Sequence, residues 1–358
     1  MAKVLVTGCA GFIGSHLCRR LLKLGHTVRG IDDLSVGFKE NIDDLTEYIS
    51  HGPEDNTSRF IPQHSAWNYC IADIRDHKLS SMAKFGSSWN DFDVVYHLAA
   101  RGETYWCQEN PSEAVDVNVN GTLRMLEFAK TTNCSHFVFA DTSAEYDGLT
   151  GKDWYPTDED DAPNQHTPMG IYSITKMTAS QFVRAWSIEN NVRSTLFRPF
   201  NVYGPSMNLD RDIPPVIGSI AVKLLKNQSP TIYGDGSKRR DFIYIDDAID
   251  LLVKALPLAN IRNIRNINLN VTDTFNMGTG ENYSINEIHD IIASAIVKEL
   301  PLSKVYPLPH PIYEPDKPYE AKITLADVNK ARRTFDWSPK VSIEEGIRRT
   351  INDVKRRM

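Results

Sequence analysis

The sequence predicts an α/β chain: a doubly wound parallel sheet with helices on both faces, followed by a smaller C-terminal α/β region. Three observations carry this. Through the first half, short β-like apolar runs alternate with segments of helical period. The first such run leads at once into a glycine-rich loop and a helix. After Pro199 the rhythm changes, as Pro205, Pro214, Pro215 and Pro230, then Pro301, Pro307, Pro309, Pro311, Pro315 and Pro318, cut the chain into short pieces. The 358 residues suffice for one large or two ordinary domains. The expected division is 1–199 and 200–358, with some return of the later chain to the sheet.

Val4-Leu5-Val6 reads as a buried strand, Phe12 to Leu24 as an amphipathic helix and Thr27 to Ile31 as a second strand. Val94-Val95-Tyr96 and Phe137-Val138-Phe139 are later strands, with a helix from about Glu113 to Lys130 between them. The polar stretch between Ser50 and Trp67 reads as a surface loop. Ser284-Ile285-Asn286-Glu287 and Ser342-Ile343-Glu344-Glu345 are capping boxes, each opening a helix.

Composition narrows the function classes. The net charge is −6 with no long basic run, which argues against nucleic acid or an anionic membrane as partner. Cys9, Cys18, Cys70, Cys107 and Cys134 are odd in number and form no Cys-x-x-Cys pair. Neither a disulfide framework nor a metal site is expected, and a reducing cytoplasm fits best. No apolar run is long enough to span a bilayer, and glycines interrupt the apolar start too early for a secretory signal.

The loop Thr7-Gly8-Cys9-Ala10-Gly11-Phe12-Ile13-Gly14 lies between a strand and a helix. Gly8 and Gly11 let the backbone approach a pyrophosphate, Gly14 lets helix and strand pack closely, and the helix N-terminus offers N–H groups to the anion. A glycine triplet alone is a weak signal; its strand-turn-helix setting makes this the Rossmann dinucleotide fingerprint. Asp32 ends the second strand, eighteen residues after Gly14. A carboxylate there accepts from the adenosine ribose hydroxyls and repels a 2′-phosphate, which favours NAD over NADP. Asp33 is the neighbouring candidate.

Tyr172 and Lys176 are four apart, hence on one face of a helix. An ammonium beside a phenol favours phenolate, as does a cationic nicotinamide. Such a phenol can take a proton from a sugar hydroxyl while hydride leaves for NAD. The pair alone is commonplace; its placement in a helix where a fifth strand-helix unit would begin gives it weight.

With these pieces the chain resembles the extended short-chain dehydrogenase/reductase family, the NAD-dependent nucleotide-sugar epimerases and dehydratases. The resemblance spans nearly the whole chain. Its motifs are Thr7 to Gly14, Asp32 to Gly37, Asp73-Ile74-Arg75-Asp76, His97-Leu98-Ala99-Ala100, Asn118 to Thr122, Arg198 to Pro205, Gly234-Asp235-Gly236, Arg240-Asp241-Phe242 and Asn276 to Gly280. It implies cofactor roles for Ser35, Gly37, Asp73 and Ile74, the last two at the adenine, and for Leu98, Ala99 and Ala100 after the fourth strand. Asn118 would support the central helix and the cofactor side. Counting back from Tyr146, Thr142 takes the place of the catalytic Ser or Thr, able to relay a proton between Tyr172 and the substrate; Ser143 and Glu145 are secondary candidates. Asn201 would bind the sugar diphosphate side, and Arg240 would pair with a phosphate, its neighbours Lys238 and Arg239 being a solvated charge run. A homodimer through the helices Asn118 to Lys130 and Ile171 to Asn190 is implied as well.

Departures from the family pattern bear on the reaction. The 4,6-dehydratases carry an Asp-Glu pair directly after the catalytic threonine, for C5 proton removal and C6 protonation; here those places hold Ser143 and Ala144. Glu145 lies one place further and would face the other side of the strand unless a bulge turned it. Decarboxylases keep a Glu near Ala144. A 4-epimerase needs only NAD, the Tyr-Lys pair and a hydroxyl, so a UDP-hexose or UDP-N-acetylhexosamine 4-epimerase is favoured over a dehydratase or decarboxylase. A non-catalytic NAD-binding regulator is the alternative of another class. Where many members carry Arg-Pro-Gly-Asp, this chain has Lys317-Pro318-Tyr319-Glu320, making Lys317 and Glu320 nucleotide-side candidates. Thr324 stands where some epimerases place a bulky Tyr that excludes N-acetyl groups. Arg101 follows the fourth strand as a substrate candidate; Tyr105 and Trp106 could touch the sugar or pack internally, while Tyr155 and Tyr203 read as core.

Overall fold

The computed structural model describes residues 1–48, 65–79, 89–147, 156–161, 170–256, 271–299, 307–318 and 320–358. Most of the polar stretch after Ser50, together with Tyr155, Pro301 and Tyr319, lies outside the described residues. The strands are β1 (Lys3–Thr7), β2 (Thr27–Asp32), β3 (Trp67–Ile71), β4 (Val94–His97), β5 (His136–Ala140), β6 (Arg193–Pro199) and β7 (Asn201–Tyr203). They continue with β8 (Thr231–Tyr233), β9 (Arg239–Arg240), β10 (Phe242–Tyr244), β11 (Thr272–Met277), β12 (Tyr283–Ser284) and β13 (Ile312–Glu314).

Seven of them form one sheet in the order β11-β6-β5-β4-β1-β2-β3. β1 pairs in parallel with both β2 and β4, so the strand order reverses at β1. In such sheets the crevice at the carboxyl ends of the two diverging strands is where ligands bind. The central strands are apolar on both faces because helices cover both: Leu5, Val95, Phe137, Phe139 and Leu196 are buried with Phe92, Phe128 and Val183 in one cluster. The helix Phe12–Lys23 buries Gly14, Leu17, Cys18, Leu21 and Leu22, the face its apolar period predicts. It stops at Gly25, whose φ of +82° suits a glycine after a helix end.

The chain divides into two compact units. The first comprises Met1–Glu145, Gly170–Arg198 and Ile249–Phe275; the second comprises Tyr146–Met169, Pro199–Ala248 and Asn276–Met358. The first holds the sheet. The second holds small two-stranded sheets, β7 with β10, β9 with β12 and β8 with β13, and helices that include Ile285–Glu299 and Ile343–Arg357. Ser284 and Glu287 exchange bonds in both directions, 2.7 and 3.1 Å, completing the first capping box. In the second, Glu345 N donates to Ser342 Oγ, while the Glu345 carboxylate turns to Arg348 and Arg349. Tyr203 is buried, as its reading as core requires, and all five cysteines are free. Among the described residues no helix is long and apolar enough to cross a membrane.

The helix expected from Glu113 to Lys130 is three pieces: Pro111–Val115, a wide π-type turn at Asp116–Asn120, and Gly121–Thr131. The correction has a physical reason. A π turn inserts a residue into the helical ladder and re-aims the side chains around it, and the residue at its centre is Asn118.

Candidate active site

β1 delivers Thr7 to the glycine loop. Gly8 has φ +71°, and a Cβ there would stand 2.9 Å from Ala99 N; at Gly14 a Cβ would stand 2.0 Å from the Gly8 carbonyl oxygen. Loop, helix and the strand end after β4 close on one another because both positions lack side chains. Gly11 at the N-cap position has no side chain to cap the first turn, which leaves the N–H groups around Phe12 and Ile13 to an anion. The cradle fits a dinucleotide pyrophosphate.

Asp32 is buried, and its two oxygens accept from Ala10 N and Leu34 N, both at 2.9 Å. Burial raises its pKa against those bonds. The residue therefore pins the loop while each oxygen keeps a lone pair for a ribose hydroxyl. Asp33 is exposed and accepts from Ser35 N and Ser35 Oγ, and Gly37 lies where a Cβ would meet the Ala10 backbone and Asp32. Asp73 is engaged by Arg75, which also reaches Asp116. The Ile74 side chain is in the core, so its backbone is what it can offer an adenine.

A continuous polar chain runs from β1 to the long helix Ile171–Asn190. Leu98 N and Ala99 N donate to Thr7 Oγ1; Thr7 Oγ1 meets His97 Nδ1 at 2.8 Å, and His97 Nε2 meets Thr122 Oγ1 at 3.0 Å. Thr122 Oγ1 donates to the Asn118 carbonyl. That spends the Thr122 proton, so His97 must donate from Nε2 and accept at Nδ1. The imidazole is neutral; burial, aided by Lys176, pushes its pKa down to about 3. The Asn118 side chain accepts from Arg101 N and donates to Arg101 O and Thr175 Oγ1. Thr175 in turn donates to the Tyr172 carbonyl. Asn118 thus fixes both the backbone after β4 and the first turn of the helix that carries Tyr172. The π turn is what places it there.

Tyr172 is half-buried on the first turn of that helix, and Lys176, one turn on, is buried. The Lys176 ammonium lies 4.0 Å over the Phe139 ring. Burial lowers its pKa to about 8, with Asp141 and Glu145 opposing the fall. Thr142 follows β5 and accepts from Ala144 N at 3.1 Å, an arrangement in which its hydroxyl can still donate. Ser143 opens a short 3-10 turn, Ser143–Tyr146. Glu145 belongs to this turn, not to a strand, so facing across a strand does not describe it. It is buried and accepts from Arg198 Nη2 at 2.8 Å, while Arg198 Nε donates to Asp141 at 3.2 Å. Arg101 lies over the Trp106 ring at 4.6 Å, so Trp106 packs on Arg101.

The second unit gathers the remaining candidates. Asn201 opens β7, its N–H donating to Asp241 O beside β9 and β10. Arg240 lies 3.4 Å from Glu320, which also receives Lys238 at 3.2 Å. Lys238 pairs with Asp316 as well and is only 10% exposed, which corrects the reading of Lys238 as part of a solvated run. Burial pushes Asp147 up to about 7, Arg240 pulling it down and Glu320 pushing it further up. The Lys317 ammonium lies 3.9 Å over the Tyr233 ring, and its backbone N–H donates to Asp316 Oδ1 at 2.8 Å. Thr324 Oγ1 accepts from Asp241 N, so this small side chain is tied to the backbone beside Arg240.

A family model described as the NAD dependent epimerase/dehydratase family matches residues 4–270. The chain belongs to the NAD-dependent epimerase/dehydratase family. This family member is 30% identical over 350 residues to a UDP-glucose 4-epimerase of Mycolicibacterium smegmatis, covering 98% of this chain and 97% of the relative. It is 31% identical over 355 residues to a UDP-glucuronate 4-epimerase of Thermodesulfobacterium geofontis, covering 98% and 96%. Its structure resembles that of a UDP-glucuronic acid 4-epimerase from Bacillus cereus in complex with UDP-glucuronic acid and NAD. The TM-score is 0.78 and the identity 28%, over 99% of this chain and 100% of the other.

Sequence reasoning named Asn118 but missed the residues that act with it. Thr7, His97 and Thr122 lie inside the quoted motifs, and a histidine at the inner end of a buried strand was a usable signal. Asp141 and Lys238 gave none, because each depends on partners distant in the chain; Arg198 heads a quoted motif, but its carboxylate partners are distant as well.

Proposed function

We propose that the protein is an NAD-dependent 4-epimerase of a UDP-hexose, or of its N-acetyl or uronate form, working through a transient 4-keto sugar. The carrying observation is the turn after Thr142. Its one carboxylate, Glu145, is buried on Arg198, and Ser143 and Ala144 supply no acid or base for dehydration. Tyr172, Lys176 and Thr142 are the groups left, and they suffice for proton exchange at one hydroxyl.

When bound, NAD would supply reversible hydride acceptance. Gly8, Gly11, Phe12, Ile13 and Gly14 would cradle its pyrophosphate, Asp32 or Asp33 would take its ribose, and Leu98, Ala99 and Ala100 would line it. Tyr172 takes the proton of the C4 hydroxyl, Thr142 bridges that hydroxyl and the phenol, and Lys176 stabilises the phenolate. Ser143 and Arg101 serve the sugar; Asn201 and Arg240 hold the diphosphate, with Lys317 and Glu320 on the nucleotide side.

Incubation with UDP-glucose, UDP-N-acetylglucosamine and UDP-glucuronate, followed by mass and NMR analysis, tests the reading. An unchanged mass with inverted C4 on at least one of them is expected. Loss of water would instead make the protein a dehydratase, loss of carbon dioxide a decarboxylase, and inertness toward all of them an NAD-binding regulator.

The same proposal includes a cytoplasmic homodimer. Ile174, Phe182 and Ile188 are exposed along one side of the long helix, an apolar stripe the sequence alone did not disclose and one suited to a partner surface. Sedimentation velocity at micromolar concentration is expected to give twice the chain mass; a monomer throughout would exclude the dimer.

A further inference from the structure

The buried charges around Lys176 are more than the reaction just described uses. Asp141 continues the ladder past β5, its N–H donating to Phe197 O at 2.8 Å, and lies two residues beyond Phe139. Residues two apart in extended chain share a face, so Asp141 stands on the side where the Lys176 ammonium covers the Phe139 ring. Glu145 is brought to the same place by the 3-10 turn, and Arg198 reaches both carboxylates. The side chains of Asp141, Glu145 and Arg198 are at most 2% exposed. Asp141 Oδ1 and Glu145 Oε1 find no partner among the described residues. Two anions side by side in a dry interior repel each other even with Arg198 and Lys176 beside them, and retaining one proton between them relieves that repulsion. Burial and then Asp141 push the Glu145 carboxyl upward.

We propose that Asp141 is a positioning residue of the reaction: it is the counter-charge that holds Lys176 as an ammonium, while Glu145, protonated, donates to Asp141 and Arg198 clamps the pair. The proposal rests on the Tyr172–Lys176 reading above. Among the described residues, further charged or titratable groups face this cluster. On the long helix they are Tyr172 and Arg184; Arg184 also feels Arg198, Asp141, Glu145 and Asp273 and donates to Thr274. On β4 the group is His97, which is neutral. Of the two carboxyls facing Lys176, Asp141 acts on it the more strongly and, with Glu145 protonated, is the anion that remains.

The test is the alkaline limb of the kcat/KM–pH profile of the NAD-loaded enzyme. Removing the anion makes the ammonium easier to deprotonate, so Asp141→Asn should move that limb to lower pH by about one unit or more. Glu145→Gln replaces a neutral donor with a neutral donor and should leave the limb where the natural enzyme has it. An unmoved limb in a folded Asp141→Asn overturns the proposal, and so does a Glu145→Gln limb shifted as far as that of Asp141→Asn. Should Asp141→Asn fail to fold, infrared spectroscopy of the natural enzyme decides. A protonated-carboxyl band present near neutral pH and lost in Glu145→Gln is expected; its absence from the natural enzyme overturns the arrangement. The band needs no turnover, so it separates this inference from the proposed reaction: loss of activity in Tyr172→Phe with an unmoved Asp141→Asn limb sinks only the former.

Discussion

Replacing Tyr172 with phenylalanine is expected to lower kcat by ~10²–10⁴ while leaving NAD bound. The substitution removes one oxygen from a half-buried side chain and leaves the rest of the first turn alone. The bond that anchors this turn runs from Thr175 Oγ1 to the Tyr172 carbonyl, which phenylalanine keeps. The cradle at Gly8 and Gly14 depends on backbone approach near Ala99 and not on the phenol. Turnover by coupled assay and NAD stoichiometry by denaturation and absorbance, measured on one preparation, check both halves. Retained turnover would remove Tyr172 from the chemistry; lost NAD would make it a binding residue.

Acidification is expected to unfold the protein through two histidines. His97 and His136 are 1% and 0% exposed, and burial pushes each down to about 3, helped by Lys176 and Arg193 respectively. The unfolded chain protonates them near pH 6.5, the native one only near 3. Their contribution to stability is complete above 6.5 and is lost as pH falls through that window. Each costs about 1.4 kcal/mol per pH unit, so the pair costs about 5 kcal/mol by pH 4.5, comparable with the whole stability of many domains. Buried carboxyls with raised pKa values, Asp32 and Glu159 among them, act in the opposite sense, so the clean measurement is differential. In His136→Gln the fall in Tm between pH 7 and pH 5 should be smaller than in the natural protein. An equal fall in both would show that His136 does not carry the effect.

The parallel sheet, the phosphate loop and the Tyr-Lys pair were legible in the sequence because each is local. Apolar runs mark buried strands, three glycines mark a backbone that must be approached closely, and a spacing of four places two side chains on one helix face. The π turn at Asp116–Asn120 was not legible: its Asp, Val and Asn residues are weak helix formers, but nothing local in them selects a π turn. Nor was the burial of Lys238: three basic residues in a row look solvated until Asp316 and Glu320 are folded against the first of them. Glu145 was misjudged for a related reason, as the strand was taken to continue where the chain turns.

The polar chain from Thr7 to the long helix has a further consequence. Its protons all point one way, and its three branches end on main-chain oxygens, those of Asn118, Arg101 and Tyr172, which have no proton to pass on. It is a strut and not a wire: it stiffens the site but cannot drain it. An acid hydrogen lifted from a sugar has no exit along this route, which suits a cycle that ends by putting the same hydrogen back.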